Sequence, residues 1–387
     1  MPASWLRLKY PHIVHGAIAG SAPVVALQGL RTPTPDPEAF AAIVTRAAGP
    51  AGGAAEECSG NVRRAFSALL SGTDARTGDK GIARMLRVCP GEEPRGEGAL
   101  IELAWWARAA FDYLSMGNYP YPTGYILNSG KGGVELPAWP MRTACSYLAD
   151  PELKAADDDV LLGALAGAIG VYYNATGDLD CFSPAAGANN ESAVDADNWN
   201  WQACTEMTMP MSTDGARDMF WLAEWDPTEQ AAQCREQFGV SPRQGWAATE
   251  YGGYGSWSQA TNIVFSNGRL DPWSGMGVVD QQQAGPGVRV ILMDQAAHHL
   301  DLFFEHPLDP QEVREARQEE LSLVEDWVRQ AYEADASRLN HTRSDTRDPH
   351  GATAKAAAAD YGDGNVQKSG RSRQRWVDRL PPLGADW

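Results

Sequence analysis

Apolar residues recur every three or four positions in the middle of the chain, which is the spacing of one face of an amphipathic helix. The pattern predicts helices over Pro37–Ala48, Asn61–Leu70, Ala99–Met116 and Asp157–Tyr173. Stretches rich in Gly, Pro and Asp, such as Gly49–Gly53 and Gly130–Pro140, separate these helices and predict loops. The middle of the chain is therefore expected to be a largely helical block.

Short apolar runs on either side of this block predict buried strands. Asn262–Phe265 and Val288–Met293 are rich in β-forming residues, and Gly16–Ala26 is small and apolar, like a strand that enters a loop. Trp5–Val14 precedes the first of these runs and has the pattern of an amphipathic helix that ends in a turn. We therefore expect a helical insertion between the strands of an α/β sheet.

The C-terminal part of the chain predicts one long helix followed by a tail. Asp309 is the expected N-cap and Pro310 the first helical residue. The apolar face of this helix is formed by Val313, Ala316, Leu321, Val324, Trp327, Val328 and Tyr332. Beyond it the composition changes to Ser, Arg, Asp, Gly and Ala, which predicts a disordered tail over 336–387.

Two residues with catalytic chemistry follow the second and third predicted strands. Asp271 comes after the first strand of this pair and His298 after the next. An acid and then a histidine at successive strand ends is the order in which α/β-hydrolases complete a catalytic triad. Each residue also has a plainer interpretation, because Asp-Pro commonly opens a turn and Asp301 is close enough to pair with His298. His299 is the rival candidate for the histidine.

The serine of such a triad should precede both residues in the chain. No Gly-x-Ser-x-Gly turn, which carries the nucleophile in α/β-hydrolases, occurs in the 387 residues. Ser241 has Gly239 before it but Arg243 after it, and Ser274 has Pro272 in place of the first glycine. We therefore expect the nucleophile to lie before residue 1 and residues 1–387 to be inactive by themselves.

Several stretches resemble the S28 serine peptidases, and the resemblance runs from residue 1 to about residue 335. They are Lys9–Val14 with Ser21–Pro23, Leu136–Pro140, Gln202–Glu206, and Ser266–Trp273 with Ala297–Leu302. In that family a Gly-Gly-Ser-Tyr-Gly-Gly motif carries the nucleophile and a Met follows it. Met1 falls at the position of that Met. The resemblance implies an α/β-hydrolase core, incomplete in this chain, with an inserted, mainly helical cap domain that bears disulfides.

The same resemblance implies a domain plan and an activity. Residues 1–24 and 176–335 would belong to the hydrolase core and residues 25–175 to the cap. The activity would be that of a serine-type exopeptidase, which hydrolyses peptide bonds after proline through a Ser-Asp-His triad. His298 is preferred to His299 because the first histidine of the pair has this role in the similar enzymes. Trp273 would line the substrate pocket, with packing in the core as the alternative.

Two other functions stay open at this point. Similar dipeptidyl peptidases have an Asp just before the Gln202–Glu206 stretch, where this chain has Trp199, Asn200 and Trp201. This difference favours a carboxypeptidase over a dipeptidyl peptidase II-like aminopeptidase. The other alternative is a catalytically inactive pseudoenzyme or binding module that lacks the nucleophile. An in-frame Gly-Gly-Ser-Tyr-Gly-Gly motif upstream of Met1 would exclude it.

Charge and composition restrict the partners. The net charge of −18 argues against nucleic-acid binding, and no apolar run is long enough for a membrane span. His298, His299 and His306 lack the spacing of a zinc site, so no metal and no other cofactor is expected. The expected partners are peptides with proline near one end, and a homodimer stays open.

Six widely spaced cysteines suit disulfides in an oxidising compartment, and six buried free thiols in a cytosolic protein are the alternative. The three sequons support the first interpretation only alongside the cysteines. The resemblance implies a lysosomal, vacuolar or secreted location, although residues 1–11 have no apolar signal-peptide core. Six cysteines allow fifteen disulfide pairings. The resemblance implies Cys58 with Cys145, Cys89 with Cys181, and Cys204 with Cys234. The candidate glycosylation sites are Asn174, Asn190 and Asn340.

Overall fold

A small parallel sheet stands beside a large layer of helices. The computed structural model describes residues 1–30, 35–72, 78–93, 95–96, 98–127, 133–184 and 193–345. Within these residues the sheet has three strands, β1 (Ala17–Gly20), β2 (Ile263–Gly268) and β3 (Val288–Met293), in the order β1-β2-β3. All pairs are parallel, with Ala17 opposite Ile263 and Ile263 opposite Val288.

The central strand β2 is longer than its apolar run. The sequence predicts a strand that ends at Phe265, but the structure continues it through Ser266 and Asn267 to Gly268, and all six residues are buried. The polar residues remain in the strand because β2 pairs with a neighbour on both sides. A Cβ on Gly268 would lie 2.2 Å from the carbonyl oxygen of Ala296, so only glycine permits the close approach of the loop before His298. β3 has the predicted bounds, whereas β1 uses only four residues of the Gly16–Ala26 run.

The α-helices account for about half of the described backbone. They are α1 (Pro2–Lys9), α2 (Ala39–Ala47), α3 (Cys58–Ser71), α4 (Gly78–Met85), α5 (Ala99–Met116), α6 (Pro140–Ser146), α7 (Asp158–Tyr173), α8 (Ala193–Ala203), α9 (Pro227–Phe238), α10 (Trp246–Tyr251), α11 (Tyr254–Trp257), α12 (Gln281–Ala284) and α13 (Gln311–Asp345). The four helices predicted from apolar periodicity correspond to α2, α3, α5 and α7. The predicted break over Gly130–Pro140 ends where Pro140 begins α6, a first-turn position that suits proline.

Helices α2 to α7 bury one another, and a disulfide joins two of them. Leucine, alanine and phenylalanine side chains from α3, α5 and α7 are fully buried, among them Phe66 and Phe111. The disulfides are Cys58–Cys145, Cys89–Cys181 and Cys204–Cys234, with Cα–Cα distances of 5.3, 4.9 and 5.5 Å. These are the pairs that the resemblance implies. The first of them joins α3 to α6 directly.

Chain segments beyond residue 175 also pack on this helical layer. The backbone amide of Met219 donates to Thr45 Oγ1 (2.9 Å) on α2, and that of Ser212 donates to the carbonyl of Pro37 (2.8 Å). Arg63 on α3 donates through Nε to the carbonyl of Asp218 (3.2 Å). The domain boundaries stay a prediction, but the helical layer includes residues near 212–219 in addition to the predicted cap.

The long C-terminal helix α13 begins at Gln311, one residue after the predicted start. The carboxylate of Asp309 does not cap it as predicted, because Oδ2 accepts from the backbone amide of His306 (2.7 Å) and from Arg317 Nη1 (2.6 Å). α13 continues to Asp345, inside the predicted tail, and the remainder of that tail lies outside the described residues. By its contacts the chain divides into units of residues 1–334 and 335–387.

None of the described helices combines the length and the apolar character that a bilayer crossing requires.

Candidate active site

The carboxyl ends of β2 and β3 bring Asp271 and His298 together. Because the two strands are parallel and paired, the turns that follow them lie at the same edge of the sheet. Asp271 precedes a 3-10 helix (Pro272–Met276), and its carboxylate accepts a hydrogen bond from the backbone amide of Trp273 (3.1 Å). The second carboxylate oxygen, Oδ2, is 3.0 Å from Nδ1 of His298. Asp271 is 0% exposed, so this hydrogen bond is shielded from water.

The backbone of His298 is fixed by the C-terminal end of α5 and by the loop after it. Its amide donates to the carbonyl of Met116 (3.2 Å), and the Tyr119 hydroxyl donates to its carbonyl (2.7 Å). Tyr119 is fully buried, and burial, with a smaller effect of the Asp271 charge, raises the pKa of its hydroxyl well above the ordinary value. The hydroxyl therefore remains a proton donor over the physiological pH range. These two residues are functional neighbours that sequence reasoning missed, because they precede His298 by more than 170 positions without a shared motif.

The ring of His298 has one nitrogen in contact with Asp271. With Nδ1 bonded to Asp271, the nitrogen that remains for acid–base chemistry is Nε2. The side chain is 17% exposed, so it is neither sealed in the core nor free in solvent. Asp301, the alternative partner for this histidine, instead accepts from Ser266 Oγ (2.5 Å). The interpretation of His298 as a residue capped by Asp301 is therefore wrong.

His299 lies behind His298 and has a different environment. Its backbone has φ of 60°, a left-handed conformation, and its amide donates to Ser21 Oγ (3.2 Å). The centroids of the two histidine rings are 3.6 Å apart. Burial, followed by the effect of His298, lowers the pKa of His299 from 6.5 to about 4. His299 therefore stays neutral above that pH. The imidazole that contacts Asp271 is that of His298 and not that of His299.

Trp273 forms an apolar wall beside the histidine. The centroids of its ring and the His298 ring are 6.4 Å apart. Phe40 and Trp199 pack edge-on against Trp273, with centroid distances of 5.2 and 5.5 Å. Its indole Nε1 lies 3.0 Å from Met116 Sδ. These contacts hold the Trp273 ring beside His298.

The remaining candidate residues are distributed as follows. Asn174 ends α7 and is part-buried, and its side-chain amide hydrogen-bonds to the backbone of Leu179 in both directions. Asn190 lies outside the described residues, and Asn340 lies within α13. Among the residues that the structure describes, no three His, Cys, Asp or Glu side chains are grouped so that they could hold a metal ion.

Comparison with known proteins shows which family and which proteins this chain resembles. The sequence model of a family described as serine carboxypeptidase S28 matches residues 1–320. The lysosomal Pro-X carboxypeptidase of Pongo abelii is 36% identical over 337 residues, which are 86% of this chain and 62% of that protein. The human protein of the same name is 35% identical, again over 86% of this chain and 62% of its own length. Prolyl carboxy peptidase like protein 5 of Caenorhabditis elegans is 32% identical over 85% of this chain and 64% of its own length. The chain thus spans slightly under two thirds of the length of these relatives.

Proposed function

Because the chain belongs to the serine carboxypeptidase S28 family, whose members have an α/β-hydrolase-like fold, we propose that Asp271 and His298 are the acid–base pair of a serine peptidase. The observation that carries this proposal is the 3.0 Å contact between Asp271 Oδ2 and His298 Nδ1, made by a carboxylate with no exposed surface. A buried, hydrogen-bonded carboxylate next to a part-exposed imidazole is the arrangement that serine peptidases use.

The proposed chemistry follows from this geometry. His298 Nε2 takes the proton of the serine hydroxyl as its oxygen attacks the peptide carbonyl, and then gives a proton to the leaving amine. Asp271 keeps the other proton on Nδ1 and stabilises the imidazolium cation that forms between these two steps. Water attacks the resulting acyl-enzyme by the same route in reverse, with His298 again as the base.

We propose that the serine comes from a segment that precedes residue 1 in a longer protein. The relatives are longer than this chain, and no serine among the described residues hydrogen-bonds to the His298 ring. Helix α1 leads into β1, and the backbone nitrogen of Met1 lies near the His299 ring. A Gly-Gly-Ser-Tyr-Gly-Gly turn before Met1 would then bring its serine to the edge of the sheet where Asp271 and His298 lie.

The proposed substrates are peptides with proline next to the scissile bond, cleaved by an exopeptidase of the prolyl carboxypeptidase type. Two curated relatives are named Pro-X carboxypeptidases, and Trp273 offers an aromatic wall that suits a pyrrolidine ring. In this proposal Trp273 binds the proline side chain within reach of His298. The part of the helical layer over residues 25–175 is the cap over this site, while residues 1–24 and 176–335 are the core.

A lysosomal, vacuolar or secreted location agrees with three disulfides and with relatives named as lysosomal. Disulfides persist in oxidising compartments and are rare in the cytosol. Glycosylation at Asn174, Asn190 and Asn340 and a homodimeric state are proposals that belong to the same picture.

The experiment compares residues 1–387 with a longer form that carries the Gly-Gly-Ser-Tyr-Gly-Gly turn and the preceding strands. A fluorophosphonate probe, which reacts with activated serines, should label the longer form and leave residues 1–387 unlabelled. Ser→Ala in the added turn is the matched control and should abolish the labelling. Stoichiometric labelling of a serine within residues 1–387 would contradict the proposed origin of the nucleophile.

Two peptides then distinguish the two kinds of exopeptidase. One has an acetylated N-terminus and ends in Pro-Phe with a free carboxylate. The other has a free N-terminus and begins X-Pro, with a blocked C-terminus. A carboxypeptidase releases phenylalanine from the first and leaves the second intact, whereas a dipeptidyl peptidase gives the opposite result. If the labelled longer form cleaves neither peptide, the proposed substrate class is wrong.

A further inference from the structure

Two carboxyl groups are buried against each other behind the turn that carries His298. Asp301 lies in the 3-10 helix Leu300–Leu302 and Glu320 lies on α13, and each is only 4% exposed. Arg317, about one turn before Glu320 on α13, donates to the backbone carbonyl of Asp301 (2.9 Å), which brings the two acids close together. A side-chain hydrogen bond with Asp301 and the charge of Asp301 both raise the pKa of Glu320. Ser266 Oγ on β2 donates to Asp301 Oδ2 (2.5 Å). The Oε1 atom of Glu320 is buried without a hydrogen-bond partner among the described residues.

One guanidinium group lies among three acids in this region. Arg317, on the same helix as Glu320, donates through Nη1 to Asp309 Oδ2 (2.6 Å). Its Nε and Nη2 donate to the backbone carbonyls of Asp301 (2.9 Å) and Leu300 (2.8 Å). The guanidinium is therefore bonded to Asp309 and to the backbone, while its charge acts on Glu320 at longer range. If Asp301, Asp309 and Glu320 were all ionised, the region would carry an uncompensated negative charge in the protein interior.

The Tyr119 hydroxyl is the titratable group that faces Asp301 from the side of the His298 turn, and the charge of Asp301 contributes to its raised pKa. It is already committed to the carbonyl of His298. The groups that face the carboxyl pair are thus Ser266 from β2, Arg317 from α13 and Tyr119 from the loop after α5. None of them is a second cation that could neutralise both carboxylates.

We propose that Asp301 and Glu320 share one proton, and that this proton holds the His298 turn against helix α13. Two carboxylates within hydrogen-bonding reach and shielded from water cannot both carry a full charge at low cost, so one of them keeps its proton. Protonated in this way, the pair makes a short hydrogen bond that joins the turn to the helix. Loss of the proton leaves two negative carboxylates that repel each other, and this repulsion acts between the His298 turn and α13.

The direction of the pH dependence follows from the environment of Glu320. Burial, followed by the charge of Asp301, raises the pKa of Glu320 from 4.5 to about 8. A group whose pKa is higher in the folded than in the unfolded chain contributes stability that is complete below pH 4.5. This contribution decreases as the pH rises from 4.5 towards 8. The structure therefore predicts a His298 turn that is most firmly held under acidic conditions. This inference concerns folding and needs no turnover, so it can fail or succeed independently of the proposed function.

Thermal unfolding of residues 1–387 between pH 5 and pH 8 tests the proposal. The Tm of the unmodified chain should fall by about 2–4 °C over this interval, because the lowered pKa of His299 makes a smaller contribution of the opposite sign. In Glu320→Gln the new side-chain amide can donate a hydrogen bond to Asp301 and does not titrate. This variant should therefore lose less than half as much Tm between pH 5 and pH 8. Glu319→Gln removes the same charge at a part-exposed neighbour paired with Arg289, so this variant should retain the fall. Asp301→Asn is a second variant that should flatten the curve in the same way.

Two further readouts complete the experiment. Hydrogen exchange of the peptide over residues 296–303, corrected for the intrinsic effect of pH, should lose protection from pH 5 to pH 8 in the unmodified chain and not in Glu320→Gln. In a protein labelled with ¹³C at glutamate carboxyl groups, one resonance should titrate near pH 8. The NMR titration needs no variant, so it decides the question even if the variants do not fold.

The proposal is wrong if no glutamate carboxyl titrates above about pH 6.5, a limit roughly two units above an ordinary glutamate. It is equally wrong if Glu320→Gln and Glu319→Gln lose the same Tm between pH 5 and pH 8. Unchanged protection of residues 296–303 over this interval would show that the shared proton does not hold the turn.

Discussion

The disulfides should stabilise the fold according to the length of chain that each encloses. Their cysteines are separated by 87 residues in Cys58–Cys145, 92 in Cys89–Cys181 and 30 in Cys204–Cys234. In the chain-entropy model, the unfolded state loses more freedom when a longer loop is closed. The relation gives about 4.6 kcal/mol for each of the two long loops and about 3.6 kcal/mol for the short one. The expected difference between a long and a short loop is therefore about 1 kcal/mol.

The most direct comparison removes Cys89–Cys181 in one variant and Cys204–Cys234 in another, with alanine at both positions of each pair. The Cys89 amide also donates to the carbonyl of Phe182 (2.8 Å), and the Phe182 amide donates to that of Arg87 (2.7 Å). These backbone bonds remain in the first variant, so its loss of stability reports the freedom of the unfolded chain. We expect the first variant to lose more free energy of unfolding than the second.

Urea denaturation under non-reducing conditions, followed by tryptophan fluorescence, measures both losses. The midpoint and the slope must be compared together, because a changed slope shows a changed unfolded state. If the variant without Cys204–Cys234 loses as much free energy as the variant without Cys89–Cys181, the entropic explanation is refuted. Six alkylatable thiols in the native, non-reduced protein would refute the disulfides themselves.

Two further predictions concern buried polar groups. Arg108 Nε lies 3.4 Å from Asp112 Oδ2 on α5, where burial raises the pKa of Asp112 to about 6 and Arg108 partly opposes this rise. Arg108→Met should lower the free energy of unfolding, measured by urea denaturation, by about 3–5 kcal/mol at pH 8. The loss should be smaller at pH 5, where Asp112 takes up a proton, and equal losses at both pH values would contradict this explanation. Tyr119→Phe should cost about 1–3 kcal/mol, because it leaves the buried carbonyl of His298 without its donor. Tyr113→Phe, at a half-exposed position of α5, is its control and should cost much less.

Local patterns in the sequence were enough to predict the elements that bury apolar residues with a regular period. The bounds of α5 (Ala99–Met116) and β3 (Val288–Met293) agree with prediction, because each is a continuous apolar pattern between turn residues. The proximity of Asp271 and His298 also follows from local information, since each residue comes directly after a strand of the same parallel pair. Short helices such as α4 and α10 have too few apolar residues to show a period, and they were missed.

Contacts between distant segments could not be predicted from patterns. Met116 and Tyr119 hold the backbone of His298, although they belong to the helical block and not to the strands. In the same way, Glu320 lies on an amphipathic helix whose sequence gives no sign of a buried carboxyl opposite it. These contacts depend on how the helical layer and α13 pack against the strand ends, and this packing is set by the whole fold.

The central claim is that Asp271 and His298 form the acid–base pair of a serine peptidase. The most direct measurement is the kcat of the longer, serine-bearing form on a peptide with proline before the scissile bond. Relative to the unmodified form, His298→Ala should reduce kcat by about 10⁴–10⁶ and Asp271→Asn by about 10⁴. His299→Ala, which removes a neutral ring without a bond to Asp271, should cost far less. If His299→Ala abolishes activity while His298→Ala leaves it near normal, the base is His299 and not His298. If neither change affects an active, folded enzyme, the acid–base pair itself is refuted.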